Sequence, residues 1–458
     1  MNVMHVAIVG AGPSGFYAAQ ALMDRDRHAC VDLFEKLPAP FGLVRYGVAP
    51  DHPKIRSVIR IFDRIASIKR FTYWGNVTIG RDVSVDELRA QYSAVILACG
   101  LEESVPLAIP GADLPGCVSA TDFARWYNGH PDFAHRTFAL DSPTAVIIGH
   151  GNVAVDVARI LAQSDYYLGK TDMPDYAREA LRNSQVRDIV LVGRRGPVQA
   201  RFSAQEIAEL ITLLDASLLI RPEDLVLDEA SQAELDAPDN HAARRTMEVM
   251  RALSGGIPVR PKNIHVLFLH SPISLTGTDR VESIRFERNR LTGNPGHLIA
   301  TGTGEFADLD CGLVITSIGH RGKPLPGVPF EPVRGIVPND KGRVLDKSAA
   351  VPGLYVSGWM KRGPTGLIGN DKADSAETVE SILEDAASLP ARNPCGIADL
   401  LRSRHVEPVS YSDWRRIDEE EIRRGAIRGK PREKFLSFAE IQSFLQETPT
   451  APTSPQDC

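Results

Sequence analysis

The chain has 458 residues, with 52 Lys and Arg against 58 Asp and Glu and a net charge of −6. At about 150 residues per domain this length suits two or three domains with full cores, and the acid excess excludes a globally basic nucleic-acid binder. The six cysteines (Cys30, Cys99, Cys117, Cys311, Cys395 and Cys458) include no CxxC or CxxxxC spacing, which excludes a disulfide scaffold, a redox dithiol, a zinc ribbon and an iron–sulfur cluster of the chain's own.

In chain order, residues 4–9 form a short apolar run that suits a buried parallel strand. Gly10-Ala11-Gly12-Pro13-Ser14-Gly15 follows, then an Ala-rich helix from Phe16 to Met23. Val31-Asp32-Leu33-Phe34 is a second strand, ending at Glu35. This is a βαβ unit within about 30 residues. Gly10 permits the tight turn, Gly12 lets backbone approach a pyrophosphate, and Gly15 allows close helix–strand packing. Ala94 to Cys99 is a further strand, closed by Gly100.

The pattern returns once. Strand Ala145–Ile148 leads into Gly149-His150-Gly151-Asn152-Val153-Ala154 and a helix from Val155 to Leu161. After a polar stretch, strand Ile189–Val192 ends in Gly193-Arg194-Arg195-Gly196-Pro197. Glu206 and Glu209 follow, three apart and so on one helical face, either solvated or turned to a ligand. Leu313 to Ile318 is a late strand closed by Gly319, and Pro-containing segments at 106–115 and 324–332 suit crossings between domains. Strand Tyr355–Ser357, a glycine-rich loop from Gly358 and a helix from about Thr365 to Ala387 complete the pattern, and the Pro/Thr-rich tail from Thr448 reads as disordered.

The residues ending the two second strands separate the ligands. Glu35 can accept hydrogen bonds from ribose hydroxyls and would repel a 2′-phosphate, so the first site suits FAD or NAD. Arg194 and Arg195 can bind a 2′-phosphate through charge-assisted bonds, so the second suits NADP(H). A chain with both sites reads as a flavoprotein that exchanges hydride with NADPH. The competing readings are a flavin monooxygenase, a disulfide reductase, which the missing dithiol disfavours, and a non-catalytic nucleotide sensor.

Four segments carry a resemblance: Gly42 to Lys54 (GLVRYGVAPDHPK), Gly149 to Asp156 (GHGNVAVD), Gly193 to Pro197 (GRRGP) and Gly358 to Gly369 (GWMKRGPTGLIG). In this order they resemble the adrenodoxin-reductase family, with the likeness running from about residue 4 to 440 and nearest the FprA-type ferredoxin–NADP reductases. The resemblance implies an α/β fold of two Rossmann-like dinucleotide-binding domains. The FAD domain would take residues 1–108 and 325–458, with an NADP domain inserted over 109–324. It implies noncovalent FAD, NADPH as donor and an iron–sulfur ferredoxin, expected to be acidic, as acceptor. Carried over by motif position, FAD contacts fall on Ser14, Glu35, Leu43, Ile79, Trp359, Gly366, Leu367 and Ile368. NADP contacts fall on Asn152, Val153, Ala154, Val155, Arg194, Arg195, Glu206 and Gly366. Val105 is a departure, standing where the family pattern has an arginine near NADP.

Hydride transfer needs orientation and exclusion of water more than an acid or base. His52 resembles the family histidine near the flavin, and either relays a proton or caps a turn. Asp156, four residues after Asn152, either bonds His52 or a water near the flavin, or holds backbone. Glu206 and Glu209 resemble acids placed by the nicotinamide. The densest basic run, Arg423 to Lys434, is the first candidate for an acidic acceptor, with Arg56, Arg60, Lys361 and Arg362 as others. No leader, membrane span or nucleic-acid surface is read, so the expectation is a cytoplasmic monomer without a metal.

Overall fold

The computed structural model describes residues 3–366 and 368–447. The chain begins with β1 (His5–Val9), α1 (Pro13–Arg25), β2 (Cys30–Phe34), β3 (Phe71–Trp74) and β4 (Ala94–Leu97). A crossing strand β5 (Glu103–Ser104) leads to β6 (Cys117–Ser119), β7 (Thr144–Ile148), α2 (Asn152–Ala162), β8 (Asp188–Val192), α3 (Ala204–Glu209), β9 (Ala216–Leu219) and β10 (Lys262–Leu267). Then come β11 (His270–Thr276), β12 (Ser283–Thr292), β13 (Ile299–Asp310) and β14 (Leu313–Thr316). The return runs through β15 (His320–Arg321), β16 (Asn339–Asp340), β17 (Arg343–Asp346), β18 (Ala349–Val356), α4 (Asn370–Asp385) and α5 (Tyr411–Ile427).

Two twisted sheets organise these elements. The first has the order β16-β17-β18-β4-β1-β2-β3, and its strands from β18 to β3 are parallel. The second, β6-β14-β7-β8-β10-β9, is parallel throughout. Every residue of β1 is buried, as the apolar run requires when helices cover both faces. In each sheet the glycine turn follows a central strand, at the edge where α/β folds bind ligands. The chain crosses between the sheets twice, and there β5 and β15 pair antiparallel.

Three features differ from the sequence reading. First, β11, β12 and β13 form an antiparallel sheet in a segment for which the sequence reading names no element. Ile284 and Phe286 alternate inward and pack on Val190 and Val192, covering one face of the second sheet. Second, the helix expected from Thr365 begins at Asn370. Gly366 stands at φ +83°, which no helix accommodates. Third, the basic run at 423–434 is not an open surface. Lys434 pairs with Asp172 (2.7 Å), Lys430 with Glu433 (2.8 Å) and Asp175, and Arg432 with Asp418 (2.5 Å). Arg423 and Arg424 pair with Glu420 at 2.7 and 2.9 Å. Arg56 is bound to Asp172 (2.6 Å), and Lys361 and Arg362 to Glu377 and Asp371 (2.7 Å each). These cations hold elements together. The tail from Thr448 lies outside the described residues, and among the described residues no helix is long and apolar enough to cross a membrane.

Candidate active site

The first glycine turn is built by close contact. A Cβ on Gly10 (φ +110°) would lie 2.4 Å from the Ala98 carbonyl oxygen, and one on Gly15 would lie 2.0 Å from that of Gly10. Gly12 faces open space, and α1 starts there with no side-chain cap. The free N–H groups and the dipole of a three-turn helix therefore point into the cradle that this turn forms. At the end of β2, Glu35 is buried. One of its oxygens accepts the Ala11 N–H (2.9 Å) and the other the Leu37 N–H (3.1 Å). Burial pushes its carboxyl up, against these two donors. Each oxygen keeps a lone pair for a hydroxyl. A vicinal diol can donate to these acceptors; a phosphate cannot.

The other expected FAD residues gather around this turn. Gly42 (φ +47°) packs on Gly12 and places Leu43, 38% exposed, beside it. Ile79 is buried, and Trp359 is half-buried with its ring 5.6 Å from His320. Ser14 abuts Gly358, where a Cβ would come within 2.1 Å of its Oγ, and its carbonyl accepts from the Ser375 hydroxyl (3.0 Å). α4 opens without a side-chain cap after Gly369, a second free helix start aimed at the same region. Ile368 packs against the first core, while Leu367 lies outside the described residues. The cradle, the buried carboxylate and the uncapped helix fit FAD.

The second turn repeats the construction. A Cβ on Gly149 (φ +132°) would lie 2.2 Å from the Ser317 carbonyl oxygen, Gly151 faces open space, and α2 begins uncapped. The Asn152 side chain accepts the Ser203 N–H (2.9 Å), tying the turn to the segment before α3. Val153 is half-buried, whereas the Ala154 and Val155 side chains are fully buried in the second core. Ala154 and Val155 would therefore meet a nucleotide through backbone. Arg194 is exposed and Arg195 half-buried, and neither has a carboxylate partner among the described residues. Burial lowers Arg195, and Arg201 and Arg194 add repulsion. Two guanidiniums without an ion-pair partner, beside an open glycine turn, fit the 2′-phosphate of NADP(H). Val105 donates its N–H to the Gly319 carbonyl (3.0 Å) and offers no charge.

Between the two turns lies a charged cluster that joins the two units. His52 Nε2 is 2.8 Å from Glu209 Oε2, so the histidine bonds across the cleft rather than capping its own turn. Asp156 stands 3.8 Å from His52 Nδ1, beyond hydrogen-bond range, and instead accepts from Arg159 (2.7 Å). Arg159 is the group the sequence reading missed. It donates to both oxygens of Asp51 (2.8 and 3.0 Å) and lies 3.5 Å from Glu206 and 3.6 Å from Glu209. Burial alone would raise Asp51, but Arg159 holds it low; burial raises Asp156. Glu206 is pushed up to about 7 by burial, with Asp156 adding to the effect.

Glu206 thus binds its proton more tightly folded than unfolded. Its contribution to stability is present below the unfolded pKa and is lost as pH rises through about 7. Chemical denaturation between pH 5 and 8 is expected to show this downward slope in the wild type and a shallower one in Glu206→Gln. Equal slopes would place the titration elsewhere.

The geometry has close counterparts. Residues 4–212 match the family described as pyridine nucleotide-disulphide oxidoreductase. The mitochondrial NADPH:adrenodoxin oxidoreductase of Mus musculus is 43% identical, over 96% of this chain and 91% of that protein. NADPH-ferredoxin reductase FprA of Mycobacterium tuberculosis is 40% identical, over 96% of this chain and 99% of that one. The chain belongs to the adrenodoxin-reductase family. A solved structure of M. tuberculosis FprA in complex with NADPH superposes with a TM-score of 0.91 at 39% identity, covering 96% of this chain and 99% of that one. The dithiol chemistry named for the broader family has no residues here. No CxxC occurs, and burial pushes the Cys99 and Cys311 thiols up to about 12.

Proposed function

We propose that the chain is an NADPH-dependent, FAD-containing reductase that passes electrons to an iron–sulfur ferredoxin. One observation carries the reading. Two uncapped glycine turns, one marked by a buried acid and one by free arginines, open toward a cleft that His52 and Glu209 bridge. The relatives named as NADPH-dependent adrenodoxin and ferredoxin reductases support it.

When bound, FAD supplies the exchange between a two-electron hydride donor and a one-electron acceptor. The chain's residues supply position and electrostatics. Glu35 holds a ribose diol, and the free starts of α1 and α4 favour negative charge near their N–H groups. Arg194 and Arg195 hold the 2′-phosphate of NADPH at the far end of the cleft. Ile79 and Trp359 keep water from the cleft floor. His52 and Glu209 share a proton at Nε2 across the cleft, so a charge change beside them is met by moving that proton. Glu206 changes charge near neutrality and orients the donor's amide end. Arg159 is a positioning residue that holds Asp51, Asp156 and both glutamates in register.

The acceptor surface follows from cations that remain free. Lys54, Arg60, Arg64 and Lys69 are exposed, form no ion pair with a described residue and lie on the segment that begins at His52. We assign an acidic face of the ferredoxin to this patch. In Lys54→Glu/Arg60→Glu the KM for a [2Fe–2S] ferredoxin is expected to rise about tenfold at low salt, as about 1.4 kcal/mol corresponds to tenfold. NADPH-driven reduction of ferricyanide should be unaltered. An unchanged ferredoxin KM would remove the patch from the docking surface.

A further inference from the structure

A third arginine stands at the nucleotide end of the cleft, from a segment outside the GRRGP motif. The Arg201 N–H donates to the His150 carbonyl at 2.7 Å, which pins Arg201 to the tip of the second glycine turn. His150 fixes the geometry on the other side. Its ring lies against Gly193, where a Cβ would come within 2.3 Å of Nδ1, and it packs between Phe202 and Phe268 with centroids at 5.6 and 4.9 Å. The ring donates to the Leu191 carbonyl (3.4 Å). One half-buried histidine therefore sets both the loop that carries Arg194 and Arg195 and the start of the segment that carries Arg201.

The charges are arranged at a cost. Arg194, Arg195 and Arg201 have no ion-pair partner among the described residues, although exposed arginines elsewhere in the chain pair with neighbouring carboxylates. Arg201 depresses Arg195 more than its sequence neighbour Arg194 does, so the two guanidiniums lie close together. Three like charges gathered at this turn, with no ion pair among the described residues and Glu234 acting on Arg195 only from a distance, form a site for a multiply charged anion. The neighbouring open turn at Gly151 and the uncapped start of α2 suit a nucleotide that carries such an anion.

We propose that Arg201 is a specificity-determining residue that binds the 2′-phosphate of the nucleotide together with Arg194 and Arg195. The proposal rests on the reading of this turn as the NADPH site and adds a third contact to it. Arg201 is exposed, so Arg201→Ala removes a guanidinium from the surface and empties no core volume.

The test is calorimetric titration of the purified holoprotein with 2′,5′-ADP and with 5′-AMP, which differ by the 2′-phosphate. Arg201→Ala is expected to weaken 2′,5′-ADP binding about tenfold, with 5′-AMP affinity unchanged, and Arg201→Lys to recover part of the loss. Equal 2′,5′-ADP affinity in wild type and Arg201→Ala overturns the proposal. If the wild type itself does not prefer 2′,5′-ADP over 5′-AMP, the reading of the turn as an NADPH site fails, and the proposal fails with it.

Discussion

Arg159→Met is expected to destabilise the protein by about 3 kcal/mol, the loss typical when one partner of a buried ion pair is removed. The guanidinium is buried and, among the described residues, is the one cation donating to both Asp51 and Asp156. Without it these carboxylates stay desolvated beside Glu206 and Glu209: Asp156, already raised, shifts further up, and Asp51 loses the partner that holds it low. Groups shifted in that direction stabilise the fold below the unfolded pKa and lose the contribution as pH rises through the folded one. The melting temperature of Arg159→Met should therefore fall by several degrees at pH 8 and by less at pH 5. A loss independent of pH would mean that Arg159 acts through packing alone.

In Arg194→Ala/Arg195→Ala, kcat/KM for NADPH is expected to fall at least a hundredfold while that for NADH is unchanged. Each hydrogen bond to a charged group contributes about 1.5–3 kcal/mol, and a tenfold change corresponds to about 1.4 kcal/mol. NADH has no 2′-phosphate for either arginine to meet, so the ratio of the two donors reports the loss directly. Parallel losses with both donors would indicate that the loop from Gly193 to Pro197 had moved. Retained NADPH preference would place the 2′-phosphate elsewhere.

The two glycine turns were legible because their chemistry is local. Gly10, Gly15 and Gly149 each face a carbonyl oxygen that would lie within 2.4 Å of any Cβ, so the sequence must show glycine there. Glu35 and the arginine pair were legible for the same reason, since each ends a strand at a fixed distance from its turn. Arg159 was not, because its partners lie on three segments, with Asp51 more than 100 residues away in the chain. A signal was present: one arginine in the otherwise apolar helix Val153–Ala162, three residues after Asp156, announces a buried counter-charge. The basic run at 423–434 misled because its acids, Asp172 and Asp175, approach only in the folded chain. The antiparallel sheet β11–β13 was hidden by exposed polar positions that alternate with a few buried ones, a weaker mark than a parallel strand.

The most direct measurement is NADPH-driven cytochrome c reduction by the purified yellow protein, with and without an added [2Fe–2S] ferredoxin. A large rate that depends on the ferredoxin is the predicted result, and it places the chain between NADPH and an iron–sulfur carrier. A high rate without ferredoxin that its addition does not change would contradict the assigned acceptor and leave a diaphorase with another partner.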